Sequence, residues 1–152
     1  MSYRIAAVDP TIPEAQSALN AYFNEMAERV DLRFLGEDAA VDADDEGGFF
    51  LVALDEKGRV VGCAALRQLE PGVGEIRRMW VNPVMRGRGI GRRLLSAIEG
   101  ASAVAGLDTL RLHTHENLTE AILMFETNGY IRIEQYDEND FATHWYEKSL
   151  IM

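Results

Sequence analysis

The spacing of apolar and polar residues divides the chain into segments of two kinds. In three segments apolar residues recur every three or four positions, which predicts amphipathic helices. Their stripes are Ile12, Ala15, Leu19, Tyr22, Phe23, Met26 and Val30; then Ile90, Leu94, Leu95, Ile98, Ala101 and Ala105; then Leu118, Ala121, Ile122 and Phe125. Short apolar or alternating runs predict strands at 3–8, 49–54, 60–66, 73–81, 110–113, 130–136 and 143–150. The order strand, helix, three strands, helix, strand, helix, two strands predicts an α/β or α+β sheet with helices on its faces.

Local signals mark where these helices begin and end. Thr-x-x-Glu at 11–14 and Asn-x-x-Glu at 117–120 predict capping boxes at the starts of the first and third helices. Gly106 and the pair Asn128-Gly129 predict the ends of the second and third helices. Residues 37–46 contain six acids and almost no bulky apolar residue, which predicts an exposed loop.

The fourth predicted strand, 73–81, departs from strict alternation. Ile76 would share a face with Arg78 and Trp80, whereas Met79 and Val81 would fall on the other face. A β-bulge near Arg78 would restore the pattern, and bulges are common beside active sites. We therefore expect a bulge in this strand.

Composition narrows the class of protein. The chain has 152 residues, of which 47% are hydrophobic and 26% charged, as in an ordinary globular domain. It has neither a run of about 18 apolar residues nor an export signal, so we expect a cytoplasmic protein without a membrane partner. The single cysteine, Cys63, lies in an apolar run and excludes an internal disulfide. His113 and His115 would share one side of a strand, but no third ligand at suitable spacing is evident, so no metal site is predicted.

The net charge of −10 is unevenly distributed. Between Arg77 and Arg93 there are six arginines and no acid, so the remaining residues together carry −16. The overall balance argues against a general nucleic-acid-binding role and favours a cationic small substrate. The basic segment contains Gly87, Gly89 and Gly91 directly before a helix, which predicts an anion site made by backbone N–H groups at a helix start.

The glycine-rich segment is compared with three other kinds of binding motif: a P-loop, a dinucleotide-binding loop and an RNA-binding Arg-Gly segment. A P-loop would need Lys and then Ser or Thr after its last glycine, but Gly91 is followed by Arg92 and Arg93. A dinucleotide fingerprint would need a different glycine spacing close to the first strand of a βαβ unit. An RNA-binding Arg-Gly segment would be repetitive and disordered, whereas this one leads into an apolar helix stripe. The RNA reading stays open as a third choice and would be tested by salt-sensitive RNA affinity.

Two segments carry a resemblance to a known family. Residues 86–91 (RGRGIG) resemble the R/Q-x-x-G-x-G/A pyrophosphate loop of the GNAT superfamily of N-acyltransferases, and residues 121–130 (AILMFETNGY) resemble the family's A-I-x-L-Y-E-x-x-G-F/Y segment. The resemblance implies one N-acetyltransferase domain over 1–152. It also implies a mixed, largely antiparallel sheet of about six to seven strands that splays between strands 4 and 5, with helices on both faces. Homodimers occur among the proteins that the chain resembles, and the resemblance extends this expectation to the present chain.

The resemblance also implies a reaction and a cofactor site. The reaction is acetyl transfer from acetyl-CoA to a primary amine of a small molecule or protein, directly in a ternary complex and without a metal. Backbone groups of Met79 and Val81 would bind the pantetheine, and the loop would bind the pyrophosphate. The implied cofactor-binding residues are Met79, Trp80, Val81, Arg86, Gly87, Arg88, Gly89, Ile90, Gly91, Arg92, His115 and Phe125.

The sequence offers few candidates for the acid and the base of this reaction. An alkylammonium group has a pKa of about 10.4 and must lose a proton before it attacks a thioester. Glu75, six residues before Val81, stands where some family members carry a catalytic glutamate and is the candidate base; a structural or substrate-binding carboxylate is the alternative. No motif in the first helix, the loop after it or the final strands specifies the acceptor.

The sequence departs from the family at two positions. Phe125 occupies the place of the tyrosine that commonly protonates the departing thiolate, so water, Tyr130 or His115 would have to serve. Phe125 itself is interpreted as a core residue packed with Leu118, Ile122 and Tyr130. His115 stands where relatives often have an asparagine that contacts the cofactor. These departures motivate the alternative function, a non-catalytic or weakly active acyl-CoA-binding module.

Overall fold

A computed structural model describes residues 2–36 and 48–151. Its helices are α1 (Pro13–Arg29), α2 (Ile90–Val104) and α3 (Thr119–Thr127), and its strands are β1 (Arg4–Val8), β2 (Phe49–Leu54), β3 (Val60–Glu70), β4 (Val73–Val81), β5 (Thr109–Thr114), β6 (Ile131–Ile133) and β7 (His144–Ser149). Short 3-10 turns cover Leu32–Gly36 and Pro83–Met85. The predicted order of elements is confirmed, and the acidic loop predicted at 37–46 lies outside the described residues.

The strands form one seven-stranded sheet in the order β1-β2-β3-β4-β5-β7-β6. All neighbouring pairs are antiparallel except β4 and β5, which run parallel. That parallel pairing covers only Val73–Glu75 against Thr109–Arg111. Beyond this point no further β4–β5 register is seen in the described chain, so the two strands part toward their carboxyl ends. The predicted splay between strands 4 and 5 is confirmed.

Hydrophobic residues are buried on both faces of the sheet. On one face, α1 packs Leu19 and Phe23 against Phe50 and Val52 of β2. On the other face, a second cluster contains the α2 stripe of Leu94, Leu95 and Ile98 with Leu51, Leu66, Leu110, Leu112, Phe125 and Tyr146. Successive residues of β2 therefore enter opposite clusters. This two-sided burial explains why β2 reads as an uninterrupted apolar run rather than as an alternating one.

The bulge expected in β4 is present at Arg78. Cys63 of β3 lies opposite Trp80 and Ala65 lies opposite Arg77, so one residue of β3 faces Arg78 and Met79 together. Arg78 has φ of 53°, in the left-handed region that non-glycine residues seldom occupy. Such a backbone costs on the order of 1 kcal/mol. The extra residue turns the end of β4 away from β5 and lets a cleft open between them.

The predicted helix ends are confirmed, but the predicted capping boxes are wrong. Gly106 and Gly129 have φ of 90° and 93° just after α2 and α3, as left-handed stop positions require. α1 instead begins after Ile12, where the described chain makes no side-chain cap, and the Thr11 hydroxyl donates to Asp9. α3 begins after Leu118, and Asn117 and Glu120 both contact Arg29 of α1. At the start of α3, contacts with Arg29, which is distant in sequence, replace the predicted local cap.

Two strand boundaries also differ from the prediction. β3 continues four residues past its apolar run, to Glu70, because it remains paired with β4 as far as Val73. β6 is only three residues long, although an apolar pattern extends to Tyr136. Within the described ranges, none of the helices has both the length and the apolar character needed to cross a membrane.

Candidate active site

The glycine-rich turn between β4 and α2 has the backbone shape of an anion site. Gly87 and Gly89 have φ of 81° and 80°, and Gly89 is the residue from which α2 begins. A Cβ atom at either position would meet no described atom within 4 Å. Glycine is therefore required at these positions by the left-handed backbone conformation and not by lack of space. Gly91 differs, since a Cβ there would lie 3.2 Å from the Met124 sulfur. It allows α2 to approach α3 closely. The first N–H groups of α2 are those that a helix leaves without internal partners.

A cavity of about 330 Å³ lies in front of this turn, between the end of β4, α1 and the start of α3. We call it the cofactor-side cavity. It is lined by Glu25, Met26, Arg29, Met79, Trp80, Val81, Arg86, Gly87, Gly89, Ile90, Gly91, Arg92, Leu118, Glu120, Ala121 and Met124. Nine of the twelve predicted cofactor-binding residues are in this set. Arg88, His115 and Phe125 are the three that are not.

An ion-pair network crosses the cofactor-side cavity. Arg86 donates from Nη2 to both carboxylate oxygens of Glu25, at 2.7 and 2.6 Å, and from Nε to the Val81 carbonyl at 3.1 Å. Glu25 also accepts from Arg29 at 3.1 Å, and Arg29 in turn pairs with Glu120 at the start of α3. Sequence reasoning missed Glu25 and Arg29; their i, i+4 spacing within α1 was the available signal. The guanidinium of Arg86 is thus already engaged by a carboxylate.

A second cavity, of about 410 Å³, lies on the other side of the β4 bulge. We call it the acceptor-side cavity. Side chains from separate segments line it: Tyr22, Met26, Val30 and Phe34 near the end of α1; Arg67 of β3; Ile76, Arg77, Arg78 and Met79 of β4; Leu112, His113, Thr114 and His115 at the end of β5; Leu118 just before α3 and Ala121, Met124 and Phe125 within it; and Asp137, Glu138, Asn139, Phe141 and Ala142 before β7. Phe125 and His115 therefore lie here.

The two cavities meet at the bulge. Met79 lines both of them, as do Met26, Leu118, Ala121 and Met124. The two cavities therefore adjoin each other beside Met79. Their contact zone is apolar, which would exclude water from a reaction there.

Glu75 is buried behind the acceptor-side cavity, with 0% of its surface exposed. Its Oε1 accepts a hydrogen bond from Arg67 Nε at 2.9 Å and lies 3.7 Å from Arg77 Nε. Its Oε2 accepts a hydrogen bond from the Tyr136 hydroxyl at 2.7 Å. Burial and the Glu75 charge raise the pKa of Tyr136, so this phenol stays protonated and donates. Glu75 does not line the described cavity wall, but three of its neighbours do: Arg67, Arg77 and His113.

His113 connects Glu75 to the cavity. Its Nε2 lies 4.0 Å from Oε2 of Glu75 and 3.6 Å from Oδ2 of Asp137. Burial lowers the pKa of His113 below its ordinary value, against the opposing effect of Glu75 and Asp137. The ring therefore favours its neutral form near pH 7.

The structure brings together a group of metal-ligating types that the sequence did not reveal. One ligand atom from each of Glu75, His113 and Asp137 lies within 4.8 Å of the others, and His115 is not part of this group. Two guanidinium groups contact Glu75, and their positive charge opposes the binding of a cation there. Asp137 also accepts a hydrogen bond from Trp145 Nε1 at 2.8 Å. The arrangement favours a hydrogen-bonded charge cluster over a metal site.

The residues considered as proton donors to the thiolate lie in different places. Phe125 is a core residue as predicted, 5% exposed, with its ring 5.7 Å from the Tyr130 ring in an edge-on arrangement. The Tyr130 hydroxyl donates to Glu99 at 2.7 Å, and burial raises its pKa. Tyr130 is absent from the described lining of both cavities, whereas His115 lines the acceptor-side cavity. Cys63 is fully buried, as predicted.

Comparison with known proteins identifies the family. The model of the acetyltransferase (GNAT) family matches residues 12–130. The chain therefore belongs to the GNAT acetyltransferase family, as the resemblance in its glycine-rich loop implied.

Individual relatives extend this comparison. The chain is 44% identical over 82 residues to an IAA acetyltransferase of Azospirillum brasilense, a match that covers 53% of this chain and 53% of that protein. The match thus spans about half the length of the curated relative. A GNAT-family acetyltransferase structure from Staphylococcus aureus superposes with a TM-score of 0.82 at 16% identity, over 99% of this chain and 100% of the other. An aminoglycoside 6′-N-acetyltransferase in complex with coenzyme A has a TM-score of 0.74 at 17% identity and 98% coverage of both chains. These two structures share the fold.

Proposed function

We propose that this protein transfers an acetyl group from acetyl-CoA to a primary amine of a small molecule or protein, in a ternary complex. The observation that carries the proposal is the meeting of two cavities at the β4 bulge, where Met79 lines both. A thioester entering from the cofactor side and an amine entering from the other side would come into contact there. Direct transfer needs such a meeting point, because holding two reactants together supplies much of the rate enhancement.

Several features support coenzyme A as the ligand of the cofactor-side cavity. The turn at Gly87 and Gly89 leaves open space before the start of α2, where a pyrophosphate would meet unpaired N–H groups and the positive end of the helix dipole. Residues 77–93 contain no acid, and the two carboxylates that line the cavity, Glu25 and Glu120, are paired with Arg86 and Arg29. Met79 and Val81 line the cavity, and their backbone groups would bind the pantetheine. The aminoglycoside acetyltransferase of the same fold was crystallised with coenzyme A, which agrees with this assignment.

Glu75 is the proposed base, and its burial gives the role a particular form. A carboxylate without exposed surface exchanges a proton with substrate through a neighbouring group. His113 is the neighbour that lines the cavity, 4.0 Å from Oε2 of Glu75. We infer that Nδ1 of the neutral His113 ring takes the ammonium proton while Nε2, 4.0 Å from Glu75 Oε2, releases its own proton toward that carboxylate. The thiolate of coenzyme A is a better leaving group than an alkoxide, and water or His115 would protonate it.

The proposal is tested by coupling two measurements on the purified chain. Calorimetry gives the affinity for acetyl-CoA, and a thiol-reactive dye follows release of free coenzyme A with a panel of primary amines. We expect acetyl-CoA to bind and thiol release to require an amine. Glu75→Gln should lower kcat about 100-fold while acetyl-CoA affinity is kept. Glu70→Gln, an exposed position at the end of β3, is the matched control and should leave both unchanged.

The second candidate is a non-catalytic acyl-CoA-binding module. Two observations favour it: Phe125 places no hydroxyl in the cavity, and the Tyr130 hydroxyl is turned toward Glu99. Tight acetyl-CoA binding without thiol release on any amine would favour this module over the enzyme. Thiol release that survives Glu75→Gln unchanged would instead keep the enzyme and remove Glu75 as its base.

A further inference from the structure

The wall of the acceptor-side cavity contains an arginine that is anchored by only part of its guanidinium group. Arg67 lies on β3 directly opposite Glu75 of β4, and its side chain is 37% exposed. Its Nε donates to Oε1 of Glu75 at 2.9 Å. Within 2–36 and 48–151 the guanidinium makes no other hydrogen bond or ion pair, so both Nη groups remain for a ligand in the cavity.

Glu75 holds this arginine in place. The carboxylate is fully buried, and the Tyr136 hydroxyl binds its other oxygen at 2.7 Å, so it cannot turn away from β3. An arginine held at Nε presents its two Nη groups as a planar fork, the geometry that matches a carboxylate. Because the side chain is already ordered, a ligand would lose less entropy on binding than it would with a free arginine.

Two guanidinium groups stand beside Glu75. Arg67 Nε and Arg77 Nε lie 2.9 and 3.7 Å from the same Glu75 oxygen. A carboxylate oxygen of Asp137 lies within 4.8 Å of the Glu75 carboxylate, so the two guanidinium groups and the two carboxylates balance in charge. Asp137 also accepts from Trp145 and faces His113. The local charge therefore does not add to the preference for a cationic acceptor that the net charge of −10 predicts.

Another part of the cavity lining is apolar and aromatic. The rings of Phe34 and Phe141 lie 4.3 Å apart between centroids, and Tyr22 and Met26 continue the same wall along α1. Such a surface takes the hydrocarbon or aryl part of a ligand out of water. The cavity lining thus contains both a cationic group and an apolar surface.

We propose that Arg67 determines acceptor specificity by binding a carboxylate, so that the acceptors are primary amines that also carry a carboxylate on an apolar body. The amine part of this proposal rests on the proposed function. The carboxylate part does not, since it concerns binding alone.

Binding without turnover tests the carboxylate part. The probes are 3-phenylpropionate and its neutral amide, titrated by calorimetry into the protein saturated with coenzyme A. We expect the acid to bind at least about tenfold more tightly than the amide, and this preference to fall to near unity in Arg67→Gln. Equal binding of acid and amide by the wild type, or an undiminished preference in Arg67→Gln, would overturn the proposal.

Variants separate a binding role from a structural one. Arg4→Gln, an exposed arginine on β1, is the matched control and should keep the wild-type preference. Arg67→Lys retains a cation beside Glu75 if Arg67→Gln fails to fold, but it replaces the planar fork with a single ammonium group. We expect Arg67→Lys to reduce the acid preference several-fold. If Arg67→Lys kept the full preference for the acid over the amide, the planar guanidinium group would not be what recognises the carboxylate.

Turnover distinguishes this inference from the proposed function. Thiol release is compared for phenylalanine and phenylalaninamide, and for 6-aminohexanoate and 6-aminohexanamide. We expect kcat/KM to favour the acids at least about tenfold, with Arg67→Gln raising KM and leaving kcat nearly unchanged. Faster or equal turnover of the amides would overturn the carboxylate proposal and keep the acetyltransferase. Preferred binding of the acid probe without any thiol release would support the carboxylate site and overturn the acetyltransferase.

Discussion

The cavities on the two sides of the β4 bulge are built in different ways. The cofactor-side cavity takes much of its wall from one continuous stretch, from Met79 to Arg92, in which backbone conformation does most of the shaping. The acceptor-side cavity takes its wall from side chains of α1, β3, β4, β5, α3 and the loop before β7. A site made of backbone suits a cofactor shared across a family, whereas a site made of side chains from many segments can vary with the acceptor.

The largest expected effect comes from removing the anchor of the acceptor side. Glu75→Ala removes the acceptor of Arg67 Nε and of the partly buried Tyr136 hydroxyl, and it leaves a cavity where the fully buried side chain stood. We expect the free energy of unfolding to fall by about 3 kcal/mol, measured by urea denaturation. Glu70→Ala is the exposed control and should change it by less than about 0.5 kcal/mol. A loss below about 1 kcal/mol for Glu75→Ala would mean that the buried carboxylate does not hold this wall together.

A smaller effect is expected from the backbone that shapes the cofactor side. Gly89 and Gly100 both have open space where a Cβ would stand, but only Gly89 has a left-handed φ. Gly89→Ala should therefore cost about 1 kcal/mol, while Gly100→Ala, inside α2, should gain about as much. Urea denaturation of the pair measures both, and calorimetry should show weaker acetyl-CoA binding for Gly89→Ala alone. Equal effects of the two substitutions would contradict a conformational role for Gly89.

The ion pair that crosses the cofactor side should contribute still less. Arg29 and Glu120 join α1 to α3, but about half of the Glu120 side chain is exposed to water. A double-mutant cycle with alanine should give a coupling energy of about 0.5 kcal/mol that weakens with added salt. A salt-independent coupling above about 2 kcal/mol would show that side chains, and not only backbone, define this cavity.

The smallest expected effect concerns His113 of the acceptor-side cavity, whose imidazole contributes to the pH dependence of stability. Burial lowers the pKa of His113 below 6.5, so as the pH falls below 6.5 the unfolded chain takes up a proton before the folded one does. Its contribution to stability is complete above pH 6.5 and is lost progressively as the pH falls below that value. His113→Gln should flatten the stability curve just below pH 6.5, as followed by thermal unfolding. An unchanged slope would mean that the His113 ring is not desolvated by its neighbours.

The predictions from sequence succeeded where the responsible residues are neighbours in the chain. The element order, the bulge at Arg78 and the turn at 86–91 each follow from a local pattern, and each is present. The capping boxes at 11–14 and 117–120 failed, although they are also local, because Arg29 engaged the groups of the second box and Asp9 engaged the hydroxyl of the first. Exposed polar side chains have several partners of similar energy, and packing chooses among them.

The amino-acid sequence by itself determined the strand and helix order, the left-handed glycines before α2 and the basic segment, residues 77–93, that contains them. These depend on side-chain periodicity and backbone freedom, which act over a few residues. Only the tertiary structure decided that Glu75 lies buried between Arg67, Arg77 and Tyr136, and that His113 lies beside Asp137. Tyr136 is 61 residues from Glu75, and charge interactions depend on distance in space, which the folded sheet alone establishes.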